Sequence, residues 1–270
     1  MRVVLEAKKS LVSSARGSGS AREFKVAGRL YAVTDNAPSE LIAEARAEIL
    51  KGHTAAVIEP EPFKPQAFFF DMDATVIREE SLVEISKIAG KYKEVQALTE
   101  KAMTGGMDFK ASLRQRLAIL AGLHRDQILS LQPTITPGMK TLAEWCLGLN
   151  IPMFLISGGF VDLAGPVAAS LGFLDYKANH FTWKDDRLAG LSDENIVDAQ
   201  GKCEAILHWC AIHNLDPLRC VAVGDGANDL PMMKLCGLAC GFSPKATLWP
   251  HLDVANHSGD HRFLLNCMEI

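Results

Sequence analysis

The chain has 270 residues, enough for one large domain or a domain with a smaller partner, and 48% of them are hydrophobic, too many for a disordered chain. The formal net charge is -4 and no block of Lys and Arg stands out, which argues against a nucleic-acid partner, since phosphate backbones demand clustered cations. Seven cysteines, an odd number without CxxC spacing, read as buried reduced thiols rather than disulfides or zinc ligands, so a cytoplasmic protein is expected.

The N-terminal MRVVLEAKKS lacks the apolar core of about 7–15 residues that a secretion signal needs. No apolar run approaches the ~20 residues of a membrane helix, so no membrane partner is expected. SSARGSGSAR (13–22) is small, polar and glycine-rich, and reads as a linker or loop. EFKVAGRLYAVTD then looks strand-like, APSELIAEARAEILKG helix-like, and HTAAVIEP like a further short strand. Pro60, Pro62 and Pro65 separate this piece from the rest of the chain, so residues 1–65 read as a small N-terminal α/β appendage.

Beyond residue 66 the pattern sharpens. AFFF (67–70), IPMFLI (151–156) and CVAV (220–223) are short apolar runs suited to strands buried on both faces. Helical patterns lie between them at 137–149, 160–171 and 201–214, and alternation of this kind predicts a doubly wound parallel sheet. The helix-rich segment 79–136 breaks the rhythm and reads as a helical insertion after the first core strand. The expected division is therefore 1–65 appendage, 66–78 with 137–270 core, and 79–136 insertion.

Each apolar run meets small and polar residues at once: DMDAT after the first, SGG after the second, GDGAND after the third. Ligands of open parallel sheets sit beyond the carboxyl ends of the strands. If the three strands are neighbours, Asp71, Asp73, Ser157, Asp225 and Asp229 converge there, and Lys202 on its helix can join them. Four gathered carboxylates raise one another's pKa unless a cation holds them, and hard oxygen ligands suit Mg²⁺. Ser157, the N–H groups of Gly158 and Gly159, and Lys202 offer donors for phosphate oxygens. An Asp can attack phosphorus directly, and a second acid two residues on faces the same side of an extended chain, where it can move a proton. Taken singly, each motif is ordinary: a DxD is a solvated turn, SGG a turn, Lys202 a first-turn lysine. Their joint order after strands is not.

DMDAT, ISGGF, the lysine of DAQGK and GDGANDLPM together resemble the four motifs of the haloacid dehalogenase-like (HAD) phosphatases, in particular those that act on O-phosphoserine. The resemblance covers residues 66 to about 250 and implies an α/β fold: a Rossmann-like core with a parallel sheet and a helical cap inserted after the first core strand. It implies Asp71 as nucleophile, Asp73 as general acid/base, and Mg²⁺ held by Asp71, Asp225 and the backbone carbonyl of Asp73. Ser157, Gly158, Lys202 and Asn228 would bind the phosphoryl group, with Asp229 as an outer partner to Lys202 or to metal-bound water. In the cap, the resemblance implies that Glu80 meets a substrate ammonium, Arg116 grips its carboxylate, and Met103 and Phe109 form apolar lining. The implied activity is hydrolysis of O-phosphoserine to serine and phosphate in serine biosynthesis. Alternatives are another small phosphomonoester, transfer to an alcohol acceptor, or a non-catalytic phosphoamino-acid sensor. Ala74 departs from the family, which often has Ser there; the N-terminal match is weak, and the oligomeric state is open, a homodimer being one candidate.

Overall fold

The apolar runs form strands because a chain covered on both faces has no use for polar side chains between its ends. The computed structural model describes residues 1–6, 21–59, 63–103, 108–192 and 196–268; most of the expected linker, Pro60 and Pro62 lie outside the described residues. In chain order, β1 (Arg2–Glu6), β2 (Ala21–Val26) and β3 (Arg29–Thr34) precede α1 (Ser39–Leu50) and β4 (Ala55–Ile58). Next, β5 (Ala67–Phe70) leads through a turn into α2 (Ser81–Ile88), α3 (Tyr92–Met103), α4 (Phe109–Ile119) and α5 (Arg125–Leu129). The chain then returns through α6 (Met139–Gly148), β6 (Met153–Phe160), α7 (Val161–Leu171), β7 (Asp175–Asn179) and a hairpin of β8 (Phe181–Lys184) and β9 (Arg187–Leu191). It finishes with α8 (Ala199–His213), β10 (Cys220–Gly224), α9 (Leu230–Leu235), β11 (Leu238–Phe242), β12 (Val254–Asn256) and α10 (Arg262–Met268). Among the described residues, no helix is long and apolar enough to cross a membrane.

Ten strands make one sheet in the order β2-β3-β1-β4-β12-β11-β10-β5-β6-β7. The six from β12 to β7 run parallel, and β4 joins them antiparallel through Ala55↔Ala255 and Ala56↔Val254. The strands of the N-terminal piece thus continue the core sheet. The stretch expected as one strand at EFKVAGRLYAVTD is instead the hairpin β2–β3, with Ala27 and Gly28 both left-handed (φ 49° and 78°). That two-residue turn matches the twist of the flanking strands, but Ala-Gly is a weaker cue than Asn-Gly and the apolar pattern runs through it.

Alternation along β5 sends Phe68 and Phe70 into a core shared with α6, α7 and α10, and Ala67 and Phe69 into one shared with α1, α8 and α9. Phe69 stacks on Phe154 at 5.2 Å, and Phe154 on Trp209 at 4.8 Å. Each fully buried ring contributes about 1.5–3 kcal/mol and pins the strand whose tip carries Asp71. Residues leaving and re-entering the core are laced together: Arg78 N–H donates to Thr134 O at 2.9 Å, and Thr136 N–H to Val76 O at 3.0 Å.

Candidate active site

Register decides what meets at the strand ends. Phe70 is level with Val223 of β10 on one side and Leu155 of β6 on the other. Asp71, the Gly224–Asp225 corner and Ser157 therefore emerge side by side, and Asp71 N–H is held by Val223 O at 2.9 Å. Lys202 reaches them from α8, whose N-terminus is capped by Asp198: its Oδ1 accepts from Gly201 N–H at 2.8 Å. The Lys202 ammonium, 1% exposed, lies 2.5 Å from Asp71 Oδ1 and 2.6 Å from Asp229 Oδ1. Burial opposes its charge, but the two carboxylates more than compensate and raise its pKa. Asp229 uses its second oxygen to accept from Asp225 N–H and Gly226 N–H, both at 3.1 Å, and so shapes the GDGAND corner. Asn228 is exposed and donates to Asp229 Oδ1 at 3.3 Å.

Asp73 stands on the turn after Asp71, where Ala74 takes left-handed angles (φ 53°, ψ 8°) to bring the chain round. Its carboxylate accepts from Ser81 Oγ at 2.5 Å and from Ser81 N–H at 3.2 Å. Burial pushes its pKa up to about 7, against those hydrogen bonds. A group with that value can both give and take a proton near neutral pH. Ser157 is fully buried, its Oγ accepting from Gly159 N–H at 2.8 Å, and a Cβ at Gly159 would lie 3.6 Å from Asp73 Oδ2. The SGG loop and both acids thus face one space.

The inserted helices stand over that space. A Cβ at Gly158 would lie 3.6 Å from the tip of Phe109, at the start of α4. Glu80, just before α2, has its pKa raised by desolvation, with Lys245 and Arg116 pulling it back down. Arg116 donates to Thr99 Oγ1 at 3.4 Å and to Ser112 O at 3.3 Å, and the field of Glu80 reaches it. Met103 closes α3, and its side chain lies outside the described residues.

A family model described as haloacid dehalogenase-like hydrolase matches residues 68–234, more than half of the chain and all four motifs. The chain belongs to the haloacid dehalogenase-like hydrolases. A phosphoserine phosphatase of Albidiferax ferrireducens is 38% identical over 199 residues, covering 70% of this chain and 84% of that one. Two solved structures are also similar. The HAD family hydrolase t0658 of Salmonella enterica serovar Typhi has a TM-score of 0.86 at 22% identity over 99% of this chain and 98% of its own. A substrate-bound phosphoserine phosphatase complex has a TM-score of 0.71 at 29% identity over 76% and 99%.

In this HAD hydrolase, Asp71, Asp225 and Asp229 each offer a carboxylate oxygen, and the three lie within 4.8 Å of one another. Burial raises the pKa of Asp71, which Asp229 raises further while Lys202 opposes; burial also raises that of Asp225, with Lys245 opposing. Buried carboxylates in excess of the nearby ammonium groups, all hard oxygen donors, fit a small divalent cation and not a soft metal. Three residues of this HAD site were not anticipated. Ser81, which holds Asp73, is signalled only by its place at the head of the first inserted helix. Lys245 lies 2.9 Å from Asp225 Oδ2 and has no motif of its own. Asn179 bridges Gly158 O and Val197 N–H, both at 2.8 Å, and nothing in the sequence around it marks that role.

Proposed function

We propose that the chain hydrolyses O-phosphoserine to L-serine and phosphate through an aspartyl-phosphate on Asp71. The observation that carries this reading is Lys202 seated between Asp71 and Asp229, with Asp73 and the SGG loop facing the same space. Asp71 attacks phosphorus while Asp73, protonated, gives its proton to the leaving seryl oxygen. Serine departs, and Asp73, now ionised, takes a proton from the water that attacks the phosphoryl group, which returns Asp71 as a free carboxylate. Ser157, Gly158, Lys202 and Asn228 bind the phosphoryl oxygens; phosphoryl transfer asks chiefly for such positioning and charge neutralisation.

Mg²⁺ suits the acidic cluster; Asp71, Asp225 and the Asp73 carbonyl would hold it, and it would supply positive charge to neutralise the phosphoryl group. Glu80 and Arg116 complement the ammonium and carboxylate of an amino acid, Phe109 and Met103 lining the apolar gap between. We divide the chain accordingly into a core of 66–78 and 137–270, a cap of 79–136 and the piece 1–65, and place the protein in the cytoplasm, in serine biosynthesis. Phosphate release should be measured with O-phosphoserine, O-phosphothreonine and a sugar phosphate, with and without an added alcohol. Preference for O-phosphoserine, loss with Asp71→Asn and reversible loss with EDTA are expected. Full activity of Asp71→Asn would remove the mechanism, and preference for another ester would remove the substrate.

A further inference from the structure

The cap is fastened to the core in two different ways. At its far end the fastening is backbone: Gly122 N–H donates to Leu188 O, Leu188 N–H to Leu123 O and Arg125 N–H to Asp186 O, each at 2.8 Å. Those bonds weave the turn between α4 and α5 onto the β8–β9 hairpin, and Arg125 adds an approach to Asp162 at 3.6 Å. At the near end, over the phosphate loop, the contact is between side chains. Lys110, next to Phe109 in the first turn of α4, places Nζ 2.9 Å from Asp198 Oδ2. Asp198 is the residue that caps α8, using its other oxygen for Gly201 N–H and its carbonyl for Lys202 N–H at 2.9 Å.

One carboxylate therefore touches both the inserted helices and the helix that aims Lys202. Its two oxygens divide the tasks, Oδ2 toward the cap and Oδ1 toward the helix terminus. A backbone weave persists through small motions, whereas an exposed ion pair forms and breaks readily. We propose that Lys110 is a positioning residue whose ion pair with Asp198 latches the near edge of the cap, so that closure of Phe109 over the loop and steadying of the Lys202 helix are one event. The turnover half of its test rests on the phosphatase reading; the exchange half does not.

The test compares Lys110→Met, Asp198→Asn and the double variant. Asn keeps an oxygen for the helix cap and Met keeps the apolar stem, so each removes the charge pair and little else. Each single variant should raise KM for O-phosphoserine about threefold to fivefold with kcat within about twofold, the range an exposed ion pair can shift an equilibrium. The double variant should be no worse than either single, and Lys110→Arg should behave as the unaltered protein. Added NaCl should raise KM of the unaltered protein and leave that of the variants flat. Additive single effects, or an unchanged KM, would overturn the latch. Hydrogen exchange of residues 109–119 gives the second reading: several-fold faster exchange in all three charge-removing variants is expected. Should the unaltered protein release no phosphate from O-phosphoserine, the phosphatase reading falls while exchange still decides the latch; unchanged exchange would sink it.

Discussion

Asp73 and His261 show how far a single side chain depends on its surroundings. Ser81 donates twice to Asp73 and so favours its ionised form against the burial that lifts its pKa to about 7. Replacing Ser81 by Ala removes the hydroxyl donor, so the Asp73 pKa should rise further. Because Asp73 must start protonated to serve the leaving serine, the alkaline limb of the pH–rate profile should move to higher pH accordingly; a limb that stays put would mean that another group titrates there. His261 is fully buried, its Nε2–H donating to Thr75 O at 3.0 Å and its ring stacked on Phe242 at 4.0 Å, while Nδ1 meets no partner. Burial holds its pKa down at about 4. Its folded value lies below the unfolded one near 6.5, so the unfolded chain binds the extra proton first. Stability is complete above about 6.5 and falls by up to about 3 kcal/mol as pH drops toward 4. Thermal unfolding of the protein and of His261→Gln should therefore differ more at pH 7.5 than at pH 4.5, and an equal gap at both would place the acid sensitivity elsewhere.

At the scale of elements, the strands of the N-terminal piece matter for what they cover. Pairing of β4 with β12 ends the parallel sheet without leaving its edge bare, and α1 packs Leu41, Ala45 and Ile49 into the same core as Phe69 and Trp209. Side chains key the join: Arg46 Nη1 donates to Leu252 O at 2.8 Å, and Arg2 Nη1 to Cys267 O at 2.9 Å. A chain beginning at residue 64 should thus melt below the full chain and scatter light on standing, because β12 would present unpaired N–H and C=O groups. Equal melting and no scattering would show that the join contributes nothing to the core. The apolar runs AFFF, IPMFLI and CVAV announced β5, β6 and β10, whose burial on both faces leaves no polar alternation to confuse them. By contrast LACGF, which forms β11, is short and rich in Ala, Cys and Gly, with little periodicity to read. The β8–β9 hairpin is half-exposed and carries charged residues at its turn, so its strand character rests on pairing, not composition.

At the scale of the molecule, a parallel sheet of six strands brings together residues far apart in the chain, and a helical cap is hung from two crossings beside them. Lys202 lies 131 positions from Asp71 and still bonds it, because α8 packs Ala205, Ile206 and Trp209 on the face below β5. The charge arrangement has the same origin. Glu80 and Arg116 lie 36 positions apart in the inserted helices, and Lys245, from the core, acts on Glu80 only because the head of the insertion packs over the Asp225 corner. A divalent cation at the acidic cluster would balance charge within this assembled state, so EDTA should abolish phosphate release and added Mg²⁺ restore it; activity unaffected by EDTA would show that Lys202 and Lys245 alone balance the three buried carboxylates.

By itself the sequence determined which polar residues gather at the strand tips. Asp71, Asp73, Ser157, Lys202, Asp225 and Asp229 are legible because short apolar runs end abruptly in polar residues, and only a few side-chain types can handle a phosphoryl group. The tertiary structure alone decided which partners tune those groups. Ser81 on Asp73, Lys245 on Asp225, Asn179 beneath Gly158 and Lys110 on Asp198 are contacts between segments with no common period or spacing. Local sequence encodes backbone preference and burial, whereas a pKa or a latch depends on charges that packing places within a few ångströms.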